Sequence, residues 1–401
     1  MATRYRSLLV DQALYAASNL LAVAIAGRTI APHRFGGFMF VFLAISVLVN
    51  AVRAVWSEPE LAAGRTHRPV PNSVALAVAL IASALVSGSS LVMVTLGASL
   101  AAVVQDRLRY EALVRGRLTA LIAGDGLWAA ILAVGWLVTL TRDVAASAAG
   151  VLTLWGAGAI ACCLVLRLGS VVESSPNSPA AGYRRRVFAG DFLLQSGSTQ
   201  LVGLLLGLVL LGDAYGELRA AITLFGPIGV ANLALTTKTL PGGAAVLKRL
   251  PVAIVAFAVS VALALAALPA GIGETLLGAG WPGRPVLLLI GLTVAVQTLS
   301  GFALATLKVQ GRDRALLGVR GTGTALLLVA TLWLGKANGS AAAVACGYLA
   351  ANVALAALAW LALGGTRAVA PTPSRSSSSP DTVNASTTGA RLTPAAPSPQ
   401  R

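Results

Sequence analysis

Charge is scarce in this chain. Only 11% of its 401 residues are Asp, Glu, Lys or Arg, against about 25% in soluble domains, while 57% are hydrophobic. That balance excludes an ordinary water-soluble fold and places the chain in a bilayer. Acidic residues are the scarcer sign, 14 against 30 Lys and Arg. No basic stripe is interleaved with aromatics, so the formal net charge of +16 does not read as a nucleic-acid surface.

Chemistry-bearing residues are equally sparse. The two histidines, His33 and His67, lie beside arginines in short polar loops and read as solvated. Cys162 and Cys163 fall mid-span and Cys346 near a span end, with neither metal-ligand spacing nor an even external set, so no disulfide framework or metal site is expected. No Gly-rich loop ends in Gly-Lys-Ser/Thr, which removes ATP hydrolysis. No large external loop is present either. The longest, residues 269–285, carries Glu274 and Arg284 but no acid/base pair, which argues against a polysaccharide polymerase or ligase. These gaps point to a non-enzyme without cofactors.

What the chain does have is apolar runs. We read about twelve long enough, or nearly so, to cross a hydrocarbon core: residues 8–25, 38–56, 74–86, 91–104, 118–140, 144–168, 188–211, 218–235, 252–268, 286–307, 316–334 and 341–363. The third and fourth fall short of the roughly 20 residues a spanning helix needs. Charge keeps them separate. With Ser87-Gly88-Ser89-Ser90 as an external turn, every Lys and Arg except Arg28, Arg34, Arg142, Arg219, Arg284 and Lys336 lies on or near the cytoplasmic side, as the positive-inside rule demands. The fourth span gains length by running on through Gln105 to Tyr110. Both termini are then cytoplasmic. Arg4 and Arg6 precede an apolar run broken by Asp11, Gln12 and Asn19, which reads as a retained first span rather than a cleaved signal.

The chain also repeats itself. An offset of 180 carries Phe35-Gly36 onto Tyr215-Gly216, and superposes Asp11 on Asp191, Leu14 on Leu194, Ser18 on Ser198, Leu21 on Leu201 and Gly27 on Gly207. Two similar halves with an even number of spans each are related by an axis along the membrane normal. The expected architecture is all-α and integral to the membrane: a first six-helix bundle over residues 1–170, a cytoplasmic linker over 171–187, a second six-helix bundle over 188–364, and a tail over 365–401. The tail is rich in Pro, Ser, Thr and Ala and too poor in large apolar residues to fold.

Several stretches resemble a known family. They are Asp11-Gln12-Ala13-Leu14, Ser18-Asn19-Leu20-Leu21, Arg28, Phe35-Gly36 and Glu58-Pro59, then Gln105-Asp106-Arg107-Leu108-Arg109-Tyr110 with Arg115-Gly116-Arg117, Asp125 to Trp128, Leu218-Arg219-Ala220-Ala221 and Gly226-Pro227. In order and spacing they are similar to the bacterial polysaccharide flippases, the O-antigen, capsule and teichoic-acid exporters of the multidrug/oligosaccharidyl-lipid/polysaccharide superfamily. The likeness covers roughly residues 5–245, departs at Leu61-Ala62-Ala63 and in the truncated third and fourth spans, and extends to the last four spans only by pattern. It implies two six-helix bundles around a central cavity that opens alternately to each side of the cytoplasmic membrane. The implied cargo is a polyprenyl-pyrophosphate-linked oligosaccharide. Membrane lipids, a polysaccharide polymerase and a coupling proton or sodium ion are the implied partners.

Such a cargo brings phosphates into hydrocarbon, which costs several kcal/mol or more unless a polar, cationic lumen replaces water. Arg28 follows the first span, Arg53 lies about one turn inside the cytoplasmic end of the second, Arg219 opens the eighth and Lys238 follows its exit. Guanidinium forks grip phosphate in a bidentate fashion, so Arg28, Arg53 and Arg219 are the candidates for pyrophosphate and glycan binding. Snorkelling to the interface is their plainer reading, and orientation that of Lys238. Asn19 either lines the lumen or bridges two helices. Asp11, Asp125 and Asp191 are candidates for binding a coupling ion, although Asp11 and Asp191, near the starts of their spans, also read as helix caps. A drug/cation antiporter of the same superfamily is the rival reading.

Overall fold

A computed structural model describes residues 2–57, 91–142, 145–168, 198–210, 212–228, 250–266, 272–310 and 312–364. All of these lie within a single unit, residues 1–364. The sequence-predicted third span (74–86), the turn at Ser87 to Ser90, the linker, residues 188–197 and 211 of the seventh span, Asp191, Lys238, His67 and the tail lie outside the described residues.

Twelve α-helical segments occur in the described residues: α1 Ala2–Thr29, α2 Pro32–Val52, α3 Leu91–Val114, α4 Leu118–Thr141, α5 Ala148–Leu168, α6 Ser198–Val209, α7 Gly212–Leu224, α8 Leu250–Ala266, α9 Ile272–Leu277, α10 Arg284–Val309, α11 Asp313–Asn338 and α12 Ala341–Gly364. A five-residue π-helical turn, Arg53–Ser57, follows α2, and a 3-10 turn, Gly278–Gly280, follows α9. Among the described residues eight helices are long and apolar enough to cross a membrane, and the fold is all-α and multi-pass. The fourth span runs on to a helix of 24 residues, so the short apolar stretch at 91–104 is only the first part of a longer helix.

In the first half, α1 packs on α4, α3 on α5, α4 on α5, and α2 on α3. In the second, α12 packs on both α10 and α11, α8 on α10, and α6 on α11. The halves meet where α2 runs along α7 and α6, and where α1 touches α9 and the 3-10 turn. Small residues set several of these contacts, as is usual between helices in lipid. A Cβ on Gly158 would stand 2.2 Å from the Trp128 ring, which lets α5 close over the most deeply buried aromatic of α4. Large apolar side chains such as Leu208, Val329, Trp333 and Leu361 are left exposed and face lipid in a spanning fold.

Candidate functional site

Helix α3 carries a polar segment that touches the rest of the first half. Gln105 and Arg109, one turn apart, share a face, and both reach Asp125 on α4: Gln105 Nε2 donates to Oδ1 at 3.0 Å and Arg109 Nε to Oδ2 at 2.9 Å. Arg109 Nη2 donates to Asp11 Oδ2 on α1. The Cys162 thiol of α5 completes the group, 3.4 Å from Asp125 Oδ1. Asp11 and Asp125 are fully buried and Arg109 is 2% exposed. Two carboxylates therefore share one guanidinium in low dielectric, and Asp11 Oδ1 has no hydrogen-bond partner among the described residues.

The next face of α3 holds a second cation. Asp106 accepts both Arg53 Nε, at 2.9 Å, and Arg53 Nη2, while the Arg53 guanidinium lies over the Tyr110 ring, 5.1 Å from its centroid. Arg109 is likewise over Tyr15, at 4.6 Å. π-Helical turns recur at functional positions, and this one begins at the arginine that joins α2 to α3.

Aromatic rings lead away from this polar group. Tyr15 meets Trp128 edge-on, Trp128 meets Trp155, Trp155 meets Phe42, and Phe42, Phe38 and Phe35 stack in turn. Trp155 Nε1 donates to Asn19 Oδ1 at 3.3 Å, so Asn19 bridges α1 and α5.

The second half has a different arrangement. Arg219 forms no ion pair with the described residues, and its Nε is buried without a partner. Its Nη1 lies 3.4 Å from where a Cβ on Gly203 would stand, against α6. Tyr215, one turn before it on α7, is 1% exposed and Tyr348 of α12 is 3% exposed. Both hydroxyls are buried and have no partner among the described residues, and both rings lie within electrostatic reach of Arg219. Three donor groups gather here, and none of them is paired with an acid among the described residues.

The remaining candidates are placed as follows. Arg28, in the last turn of α1, donates from Nη1 to the Thr275 carbonyl at 2.6 Å, with its Nε buried and unpartnered. Asp11 is not a cap: α1 begins at Ala2, so Asp11 lies in the third turn, because the polar residues before Leu8 continue the helix. Arg219 does not open its helix either, since α7 begins at Gly212. Arg109, counted on sequence among the cytoplasmic-side arginines, is instead buried between Asp11 of α1 and Asp125 of α4. The Gln105/Arg109 and Asp106/Tyr110 pairs at i, i+4 were the signal for it. Tyr348, a lone tyrosine in an apolar span, left none.

Among the described residues no group of three or more His, Cys, Asp or Glu is placed to hold a metal. No family model matches the chain, and no curated protein matches it. Solved structures do. The chain is similar to a lipid II flippase, MurJ, in an inward closed conformation, with TM-score 0.60 and 10% identity over 89% of this chain and 87% of that one. It is also similar to a multidrug-resistance transporter of the MATE family of the MOP superfamily in an outward-facing conformation, with TM-score 0.51 and 13% identity over 90% and 93%. At these identities the shared feature is the fold.

Proposed function

We propose that the chain is a flippase of the bacterial cytoplasmic membrane that carries a polyprenyl-pyrophosphate-linked oligosaccharide to the outer leaflet by alternating access, for surface polysaccharide synthesis. The observation that supports this reading best is Arg219. Arg53 and Arg109 already have carboxylates, whereas among the described residues Arg219 has no acid and the two buried phenols near it have no acceptors. A phosphate supplies the missing negative charge and the missing acceptors at once. The fold shared with a lipid flippase supports the same class of cargo. Arg28, whose Nε is also unpartnered, would add a second cation, and Arg53 and Asn19 complete the proposed cargo-contacting set.

The same reading gives Asp11 and Asp125 the coupling role. With one arginine between them they carry one negative charge in excess, which a proton or sodium ion would balance. Asp191 is the proposed counterpart in the second half. These acids are also what a drug/cation antiporter would need, but Arg109 already neutralises one of them.

The readings separate in a deletion strain. Without the protein, lipid-linked oligosaccharide should accumulate on the cytoplasmic leaflet and surface glycan should fall, with drug susceptibility unchanged. A normal precursor distribution together with raised drug sensitivity would replace the flippase by the antiporter.

A further inference from the structure

The repeat-related pairs of the sequence meet in space. A Cβ on Gly36 would stand 1.9 Å from the Gly212 carbonyl oxygen, and one on Gly216 would stand 3.2 Å from Gly36 N and 2.9 Å from Phe35 Cδ1. The same close approach joins α1 to the 3-10 turn: a Cβ on Gly27 would lie 2.7 Å from the Leu277 oxygen, and one on Gly280 2.7 Å from Gly27 Cα and 3.3 Å from the Phe35 ring. The Phe35 ring is thus wedged between α7 and the 3-10 turn. At this end the halves touch backbone to backbone.

Among the described residues two side-chain hydrogen bonds join α1 and α4 to α9. Arg28 Nη1 donates to the Thr275 carbonyl, and Trp136 Nε1 of α4 to the Leu276 carbonyl at 3.1 Å. On each side the parts are tied to one another. Gly283 N donates to Glu217 Oε1 at 2.8 Å, joining α7 to the segment after α9, and Ala146 N donates to the Thr29 carbonyl at 3.3 Å, joining the start of α5 to the end of α1. The charge bias puts this end of the bundle outside.

We infer that this seam is the outer gate of the transport path, closed in this structure, with Gly36 and Gly216 as its closure point and Arg28 as its latch. A symmetry axis along the membrane normal brings equivalent residues together only near the axis, where a central path must also run. Glycine backbones close tightly there around the Phe35 ring, and the two carbonyl bonds are lost when the halves part. Opening then frees the Arg28 guanidinium at the outer mouth. The inference rests on the transport reading but not on the identity of the cargo.

The test reads conformation in native membranes without added cargo. Leu277 is fully buried under Gly27, so in a Leu277→Cys chain a membrane-impermeant maleimide applied from outside should react slowly, with the parent chain as the blank. Adding Gly36→Ala, which cannot seat its methyl against Gly212, should raise labelling severalfold at equal protein level. Gly37→Ala, with nothing within 4 Å of its Cβ, should leave it unchanged. Equal labelling in the two variants would overturn the gate. Should Gly36→Ala not accumulate, Arg28→Cys with Gly278→Cys serves instead, since a Cβ on Gly278 lies 3.6 Å from Arg28 Cβ, within disulfide reach. Oxidation should lock the gate and trap labelled lipid-linked oligosaccharide inside, and reduction should restore the level of Arg28→Cys alone. Transport untouched by complete oxidation would overturn it. A gate that responds as expected in a strain with normal precursor distribution would keep the gate and remove the cargo assignment.

Discussion

Arg109→Ala should cost about 3–5 kcal/mol of stability, the range seen when one partner of a buried ion pair is removed. Both acids it serves are fully buried, and neither has another cation among its described contacts. Without the guanidinium, two carboxylates face each other across a dry interior. Asp125→Asn should behave in the opposite way, costing less than about 1 kcal/mol, because the amide oxygen still accepts from Gln105 or Arg109 and the excess negative charge disappears. Unfolding of the purified protein in detergent, followed by denaturant titration, compares the two. Equal losses would mean that Arg109 does not balance the acids. The same pair of variants bears on coupling, since Asp125→Asn keeps the fold while removing an ionisable group.

Arg219→Ala should leave the fold intact and reduce transport roughly tenfold to a hundredfold, the equivalent of the roughly 1.5–3 kcal/mol that a charged hydrogen bond contributes. Lysine should restore only part of it, because it keeps the charge and loses the planar fork. The phenols make the case sharper. Tyr215→Phe and Tyr348→Phe each delete a buried hydroxyl that has no partner among the described residues, so stability should hold or rise. Transport should nonetheless fall severalfold, because a cargo phosphate would lose a donor. Loss of stability without loss of transport would make these hydroxyls structural. The readout is trapped lipid-linked precursor against surface glycan at matched protein abundance.

Much of this molecule was legible in its sequence, and the reasons are physical. Apolar runs mark helices wherever lipid demands them, so the spans at 118–140, 286–307, 316–334 and 341–363 reappear within α4, α10, α11 and α12. Helix ends were harder, because hydropathy reports where lipid is and not where hydrogen bonding stops. Arg4 and Arg6 belong to α1, which moved Asp11 from a cap to the interior. Arg109 was obscured by its neighbours: amid Arg107, Arg115 and Arg117 it looked like one more positive-inside charge, although its spacing from Gln105 put both on one face of α3. The repeat offset was visible at Phe35-Gly36 and Tyr215-Gly216, but a one-dimensional offset carries no distance. That the equivalent glycines touch depends on the packing of α2 against α7. Tyr348 gained its meaning only from α12 approaching α7, which no local pattern announces.

The most direct measurement is reconstitution of the purified chain into liposomes containing a fluorescent polyprenyl-pyrophosphate oligosaccharide, with an outside quencher or glycan-cleaving enzyme scoring the leaflet. The account predicts that the chain equilibrates or pumps the labelled lipid between leaflets far faster than protein-free vesicles, and that Arg219→Ala, inserted to the same level, does not. A wild-type chain that leaves the label on its original leaflet, with and without a proton or sodium gradient, would contradict it.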